Sequence, residues 1–229
     1  MSLAVVGTDT GVGKTVTCAL ILARYGRSLP RLAYWKPVAT GGRRDRDAAF
    51  IRSRAGGRCA VLEEEYLFDP PVSPHLAARL AGDRIDRRRI LASWRRHAAV
   101  PGRSIVVEGA GGLLVPLAEG LLLADVIRDL RVPALLVART ALGTINHTLL
   151  SLEAMRARGI EVAGVVMDGP PSRENRAAIE RFGRARVIAE VPPIGRGRRP
   201  SREAVLGAAR RFDRAGALRP FLEGDRHGR

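Results

Sequence analysis

The stretch Gly7-Thr8-Asp9-Thr10-Gly11-Val12-Gly13-Lys14-Thr15 decides how this chain is read. It follows the apolar run Leu3-Ala4-Val5-Val6 and opens an amphipathic stretch reaching Tyr25, giving strand, glycine-rich turn and helix in that order. Such a turn brings several backbone N–H groups together, and the helix N-terminus adds positive potential, so the unit suits phosphate. Gly11, Val12, Gly13, Lys14 and Thr15 are therefore the candidate nucleotide-binding residues. In this arrangement the Lys14 ammonium reaches the β- and γ-phosphates of ATP, and the Thr15 hydroxyl is a candidate Mg2+ ligand. The spacing departs from GxxxxGK[ST] at its first position, where Thr8 stands and Gly7 lies one residue earlier. The convergence of amides does not depend on that shift.

Beyond the loop, apolar runs of strand length alternate with amphipathic stretches, the pattern of βαβ units around a parallel sheet. Strands are expected at Leu3 to Val6, Leu32 to Trp35, Ser104 to Val107, Ala134 to Ala138, Val162 to Met167 and Arg186 to Ile188. Their continuous apolarity predicts burial on both faces. Helices are expected from Lys14 to Tyr25, Asp86 to Ala98, Thr144 to Arg158, Ser172 to Phe182 and Ser201 to Ala215. Thr144, Ser172 and Ser201 read as N-caps, and Gly26 and Gly159 as helix stops. The stretch from Gly41 to Pro74 is less regular and reads as an excursion over the carboxyl ends of the strands. The fold class is thus α/β, a P-loop NTPase-like three-layer sandwich with a mostly parallel central sheet. One domain over residues 1–229 is expected, with a short basic tail after about residue 220.

Composition narrows the function classes. Of 39 Lys and Arg residues only Lys14 and Lys36 are lysines, and the formal net charge is +16. The arginines spread along expected helices, and an aromatic content of 4% leaves few rings for stacking bases, so no specific nucleic-acid site is expected. No apolar run approaches a membrane span. Cys18 and Cys59 lack disulfide-frame or zinc spacing. Met1 is followed almost at once by the first strand, leaving no room for a signal segment, and a cytoplasmic location is expected.

A chain that uses arginine almost everywhere has kept a compact ammonium at two positions, and both fall in motifs. Lys36 follows an expected strand at its carboxyl end, from which a side chain can enter the ligand crevice. Glu108 ends the run Ile105-Val106-Val107, where a carboxylate can face a metal from across the sheet, and Gly109, Gly111 and Gly112 then let the main chain approach a ligand closely.

The loop from Gly7 to Thr15 resembles that of the dethiobiotin synthetases, ATP-dependent carboxylases that close the ureido ring in biotin biosynthesis. Three further segments agree in order: Tyr34-Trp35-Lys36-Pro37-Val38, the run from Val107 to Pro116, and Gly143-Thr144-Ile145-Asn146-His147. The similarity runs from about Ser2 to Pro193. It implies small-molecule substrates: 7,8-diaminononanoate, CO2 and ATP. One amine captures CO2 as a carbamate, ATP phosphorylates it, and the second amine attacks the mixed anhydride to close the ring and release phosphate.

The resemblance also implies residue roles. Lys36, Lys14 and Thr10 are the catalytic candidates, Lys36 holding the carbamate and the transferring phosphoryl group with Thr10 and Thr40 as donors. Gly111 adjoins the substrate. Gly143, Thr144 and Asn146 receive its carboxylate from the neighbouring subunit, so a homodimer with shared active sites is implied. Mg2+ falls to Thr15, Glu108 and Asp47, with Asp45 as an alternative two residues away. Asp168 stands where many relatives place an Asn against the base; a carboxylate accepts but cannot donate, which leaves nucleotide selectivity open.

Two other readings share the strand, loop and helix. Partitioning ATPases that ride on DNA carry a signature lysine early in the turn, where this chain has Asp9. Amidotransferase-type ligases acting on corrinoid precursors need a glutaminase domain for which the chain has no length.

Overall fold

The computed structural model describes residues 1–42, 47–55, 59–194 and 200–223; Asp45 lies outside the described residues. The strands are β1 (Ser2–Gly7), β2 (Leu32–Trp35), β3 (Val38–Thr40), β4 (Ala60–Val61), β5 (Tyr66–Phe68), β6 (Ser104–Glu108), β7 (Pro116–Ala118), β8 (Leu121–Leu122), β9 (Ala134–Arg139), β10 (Val162–Asp168) and β11 (Val187–Val191). The helices are α1 (Lys14–Tyr25), α2 (Asp47–Arg54), α3 (Pro74–Leu80), α4 (Arg87–Ala98), α5 (Leu123–Leu130), α6 (Thr144–Ala157), α7 (Arg173–Gly183), α8 (Arg202–Ala209) and α9 (Arg219–Glu223). No helix among the described residues is long and apolar enough to cross a membrane.

Seven strands form one sheet in the order β11-β10-β9-β1-β6-β2-β4, every adjacent pair parallel. Successive strand residues point to opposite faces, and each face has its own core. Ala4 and Val6 of β1 join Ile90, Val126 and Met155 on one side, while Leu3 and Val5 join Leu20, Ile51 and Val205 on the other. Helices therefore cover both faces, as the apolar runs require. The expected three-layer, mostly parallel architecture is what forms. β1 lies between β6 and β9, and the chain leaves it toward β2, on the β6 side. A crevice opens at such a reversal, at the carboxyl ends of the strands.

All six expected strands form, with boundary shifts of a few residues at most. Asp86, Ser172 and Ser201 cap α4, α7 and α8 through their side chains. Thr144 does not cap α6. Gly143 takes that position at φ 89, because the chain turns out of β9 through a left-handed residue, and buried Thr144 donates its hydroxyl to the Arg139 carbonyl. The helix expected from Ser201 to Ala215 stops at Ala209, and Asp213 at φ 44 turns the chain toward α9. The tail expected after Pro220 begins as helix instead. Leu222 is fully buried and its carbonyl accepts from Ser104 Oγ at 2.5 Å, so the end of the described chain is fastened beneath β1 and β6. The irregular excursion contains α2, which packs on α1, and two short strands, β4 and β5.

Candidate active site

The loop after β1 folds back onto the strand end. A Cβ on Gly7 would lie 2.8 Å from the Asp9 carbonyl oxygen and 2.9 Å from Lys14 Nζ, so only glycine permits the turn. Gly13 has φ 95, and a Cβ there would sit 2.1 Å from Asp168 Oδ2, which places the end of β10 directly against the loop. Lys14 Nζ donates to the Asp9 carbonyl at 2.9 Å and so lies across the loop. Its side chain is buried. Burial lowers its pKa to about 8; Glu108 opposes that shift and the Lys36 ammonium adds to it.

Lys36 and Glu108 reach the same place from neighbouring strands. Tyr34 pairs with Val106 and Trp35 with Val107 in the β2–β6 register, so Lys36 and Glu108 are level one residue further on. Tyr34 and Val106 belong to the core facing α1, and period-two alternation turns Lys36 and Glu108 to that same face. Glu108 is 1% exposed and is the hub of the site. Its Oε1 accepts from Thr15 Oγ1 at 2.8 Å and from Lys36 Nζ at 3.1 Å, and its Oε2 accepts from Tyr34 OH at 2.8 Å. Lys36 also donates to Asp47 at the start of α2. Burial by itself would lower the Lys36 pKa, but Glu108 and Asp47 outweigh it and hold the ammonium above its ordinary value. Two cations thus share one buried cluster with two carboxylates, and the formal charges balance.

These groups line a cleft of about 380 Å3 at the carboxyl end of the sheet. Thr10, Gly11, Gly13, Lys14, Thr15, Lys36, Asp47, Glu108, Gly111 and Asp168 all face it. Val12 does not; its side chain is buried in the core under the loop. Thr40, Gly143, Thr144 and Asn146 do not line it either. Gly143 and Asn146 stand exposed at the start of α6, away from this chain's own cleft. Asp168 is half-buried with no hydrogen bond or ion pair described, and burial pushes its pKa up to about 6.

A protein-family model described as an AAA domain (AAA_26) matches residues 1–201. The chain is 46% identical over 189 residues to the ATP-dependent dethiobiotin synthetase BioD of Agrobacterium fabrum, covering 82% of this chain and 84% of that protein. Its identity to the enzyme of the same name from Paramagnetospirillum magneticum is 41% over 190 residues, or 83% of this chain and 87% of the relative. The chain belongs to the dethiobiotin synthetase family. Among solved structures, a ParA family ATPase from Chlorobium tepidum has a TM-score of 0.59 at 13% identity, covering 95% of this chain and 97% of that one. A chain of the MinC:MinD cell division protein complex of Aquifex aeolicus also gives 0.59 at 13% identity, with 92% of this chain and 94% of that one covered. That likeness is one of fold.

Within this dethiobiotin synthetase homologue, several cleft or loop neighbours, Val16 of α1 among them, carry no site reading from sequence. Tyr34 had a signal: it is a hydroxyl in an otherwise apolar strand, two residues before Lys36 and hence on the same face. Phe50 and Pro200 line the cleft from α2 and from the segment before α8, positions that only packing assigns. Arg139 reaches the loop from the end of β9 and is one arginine among many in the sequence.

Proposed function

We propose that this chain is a dethiobiotin synthase, carrying out the MgATP-dependent carboxylation and ring closure of 7,8-diaminononanoate with CO2 to dethiobiotin, ADP and phosphate. The observation that carries this reading is the pairing of Lys14 and Lys36 in one cleft, where Glu108 accepts from both Lys36 and Thr15, the residue next to Lys14. A carbamate and a triphosphate repel one another, and transfer between them needs fixed positive charge where the negative charge collects. Lys14 serves the nucleotide side of the cleft and Lys36 the carbamate side. Lys36, buried beside Glu108 and Asp47, offers a fixed positive charge and acts as an electrostatic clamp rather than a base. Thr10 faces the cleft beside Gly111, where a Cβ would lie 3.5 Å from the Thr10 hydroxyl, and donates to the carbamate or the phosphoryl group.

The donor set fits Mg2+. Thr15, Glu108 and Asp47 offer oxygen only, and no group of three or more His, Cys, Asp or Glu among the described residues could hold a metal by itself. Mg2+ takes one or two carboxylates and keeps water and phosphate ligands. When bound it would supply charge neutralisation at the phosphates. The exposed start of α6, carrying Gly143 and Asn146 outside this chain's own cleft, supports a homodimer in which that segment serves the neighbour's substrate carboxylate.

The test is phosphate release from MgATP at saturating bicarbonate, with and without diaminononanoate, and with duplex DNA as a control. Strict dependence on the diamine is expected; stimulation by DNA alone would sink this reading in favour of a partitioning-type ATPase.

A further inference from the structure

The phosphate loop is steadied at its tip from both neighbours of β1. On the β6 side the glycine run comes so close that a Cβ on Gly112 would lie 3.4 Å from Asp9 Cα and from the Thr8 carbonyl oxygen. On the β9 side the contact is polar. Thr8 N donates to the Val137 carbonyl at 3.0 Å, and two residues later the Arg139 guanidinium donates to the Thr10 carbonyl at 2.7 Å. The same guanidinium lies 3.6 Å from the Asp9 carboxylate. Asp9, Thr10 and Gly11 are all exposed, so no core packing fixes this part of the loop. Their peptide groups nevertheless carry the site: Lys14 rests on the Asp9 carbonyl, and Thr10 faces the cleft. Asp168, level with Arg139 in the strand register, is turned to Gly13 and leaves the guanidinium to the loop.

We propose that Arg139 is a positioning residue of the phosphate loop: by holding the Thr10 carbonyl it fixes the Thr10–Gly11 peptide, and by facing the Asp9 carboxylate, which accepts from Thr10 N at 2.6 Å, it steadies the Asp9–Thr10 peptide, and thereby the Thr10 hydroxyl and the Lys14 ammonium. This rests on the ATP-dependent reading above and adds to it a residue outside the loop. Arg139 is half-exposed and makes no described core contact, so its loss should disturb the loop and not the fold.

The experiment compares the full-length wild type with Arg139→Met, which keeps the stem and removes the donor, and with Arg139→Lys, which keeps one donor and the charge. MgATP affinity is read by calorimetry, kcat and KM by phosphate release, and folding by thermal melting. Arg139→Met should raise the Kd and KM for ATP about tenfold and lower kcat, at an unchanged melting temperature, while Arg139→Lys recovers most of the loss. Values for the Met variant within twofold of wild type, or equal impairment of both variants, would overturn the proposal. Should the wild type bind MgATP but release phosphate without the diamine, the functional reading falls while the Met and Lys affinities still judge Arg139. A wild type with no nucleotide affinity ends both.

Discussion

Glu108→Gln tests how much of this site is held by one buried charge. The carboxylate is 1% exposed and accepts three hydrogen bonds, from Thr15, Tyr34 and Lys36. Glutamine keeps the volume and one accepting oxygen, but its amide end turns donors toward groups that already donate. The negative charge disappears, leaving Lys36 with Asp47 alone, whose side chain is 29% exposed. Removing one partner of a buried ion pair costs about 3–5 kcal/mol. The surviving Asp47 contact offsets part of that, and we expect a net loss of about 2–4 kcal/mol. For a chain of this size each kcal/mol lowers the melting temperature by about 2–4 °C, so a drop of roughly 4–16 °C follows. Urea unfolding at pH 7.5 gives the free energy, with the m-value checking that the unfolded state is unchanged. The pH matters: Lys36 is held above its ordinary value of 10.5, so the stability that its own protonation contributes is fully present at pH 7.5 and is lost as pH rises through the higher folded value. Glu108→Gln combined with Lys36→Met removes both charges, and its loss should fall short of the sum of the single losses by at least about 1.5 kcal/mol. A single variant within about 0.5 kcal/mol of wild type, or strict additivity, would refute the view of Glu108 as the electrostatic hub.

Lys36→Ala should abolish diamine-dependent phosphate release while MgATP binding stays measurable; near-normal turnover would remove Lys36 from the chemistry. Gly13→Ala places a side chain at φ 95 and against Asp168, and should cost about 1–3 kcal/mol in urea unfolding and most of the ATP affinity. With Lys14 lowered to about 8, kcat/KM for ATP should fall as pH rises through that value, and Lys14→Arg should shift the falling limb to higher pH; a flat profile from pH 7 to 9 would contradict this. Asp168 titrates near 6 in the fold against 3.8 in the free chain, so the native state binds its proton more tightly and stability drops as pH rises through that window. Asp168→Asn should therefore be more stable than wild type above pH 6, with the margin closing toward pH 4, and ATP, GTP and CTP turnover measured side by side should shift toward ATP.

The sequence by itself determined the nucleotide loop, the parallel character of the core sheet and the two ammonium positions. The reason is local: strand, glycine turn and helix are adjacent in the chain, continuous apolar runs report burial on both faces, and a lone lysine is conspicuous among arginines. Helix α5 was legible in principle, since Leu123, Val126, Ile127 and Leu130 recur at helical spacing, yet it follows β8 without a turn residue to announce it. What only the tertiary structure decided are the partnerships across the sheet. That Thr15, Tyr34 and Lys36 converge on Glu108, that Asp47 starts a helix facing them, and that Arg139 grips Thr10 depend on which strands become neighbours and in what register. Side-chain chemistry cannot announce those choices, because an arginine on a helix face and Arg139 at the end of β9 are the same residue until packing places one beside the loop. Thr144 carries the same lesson in reverse: its capping chemistry was visible in the sequence, but a left-handed Gly143 and a buried hydroxyl gave that position another use.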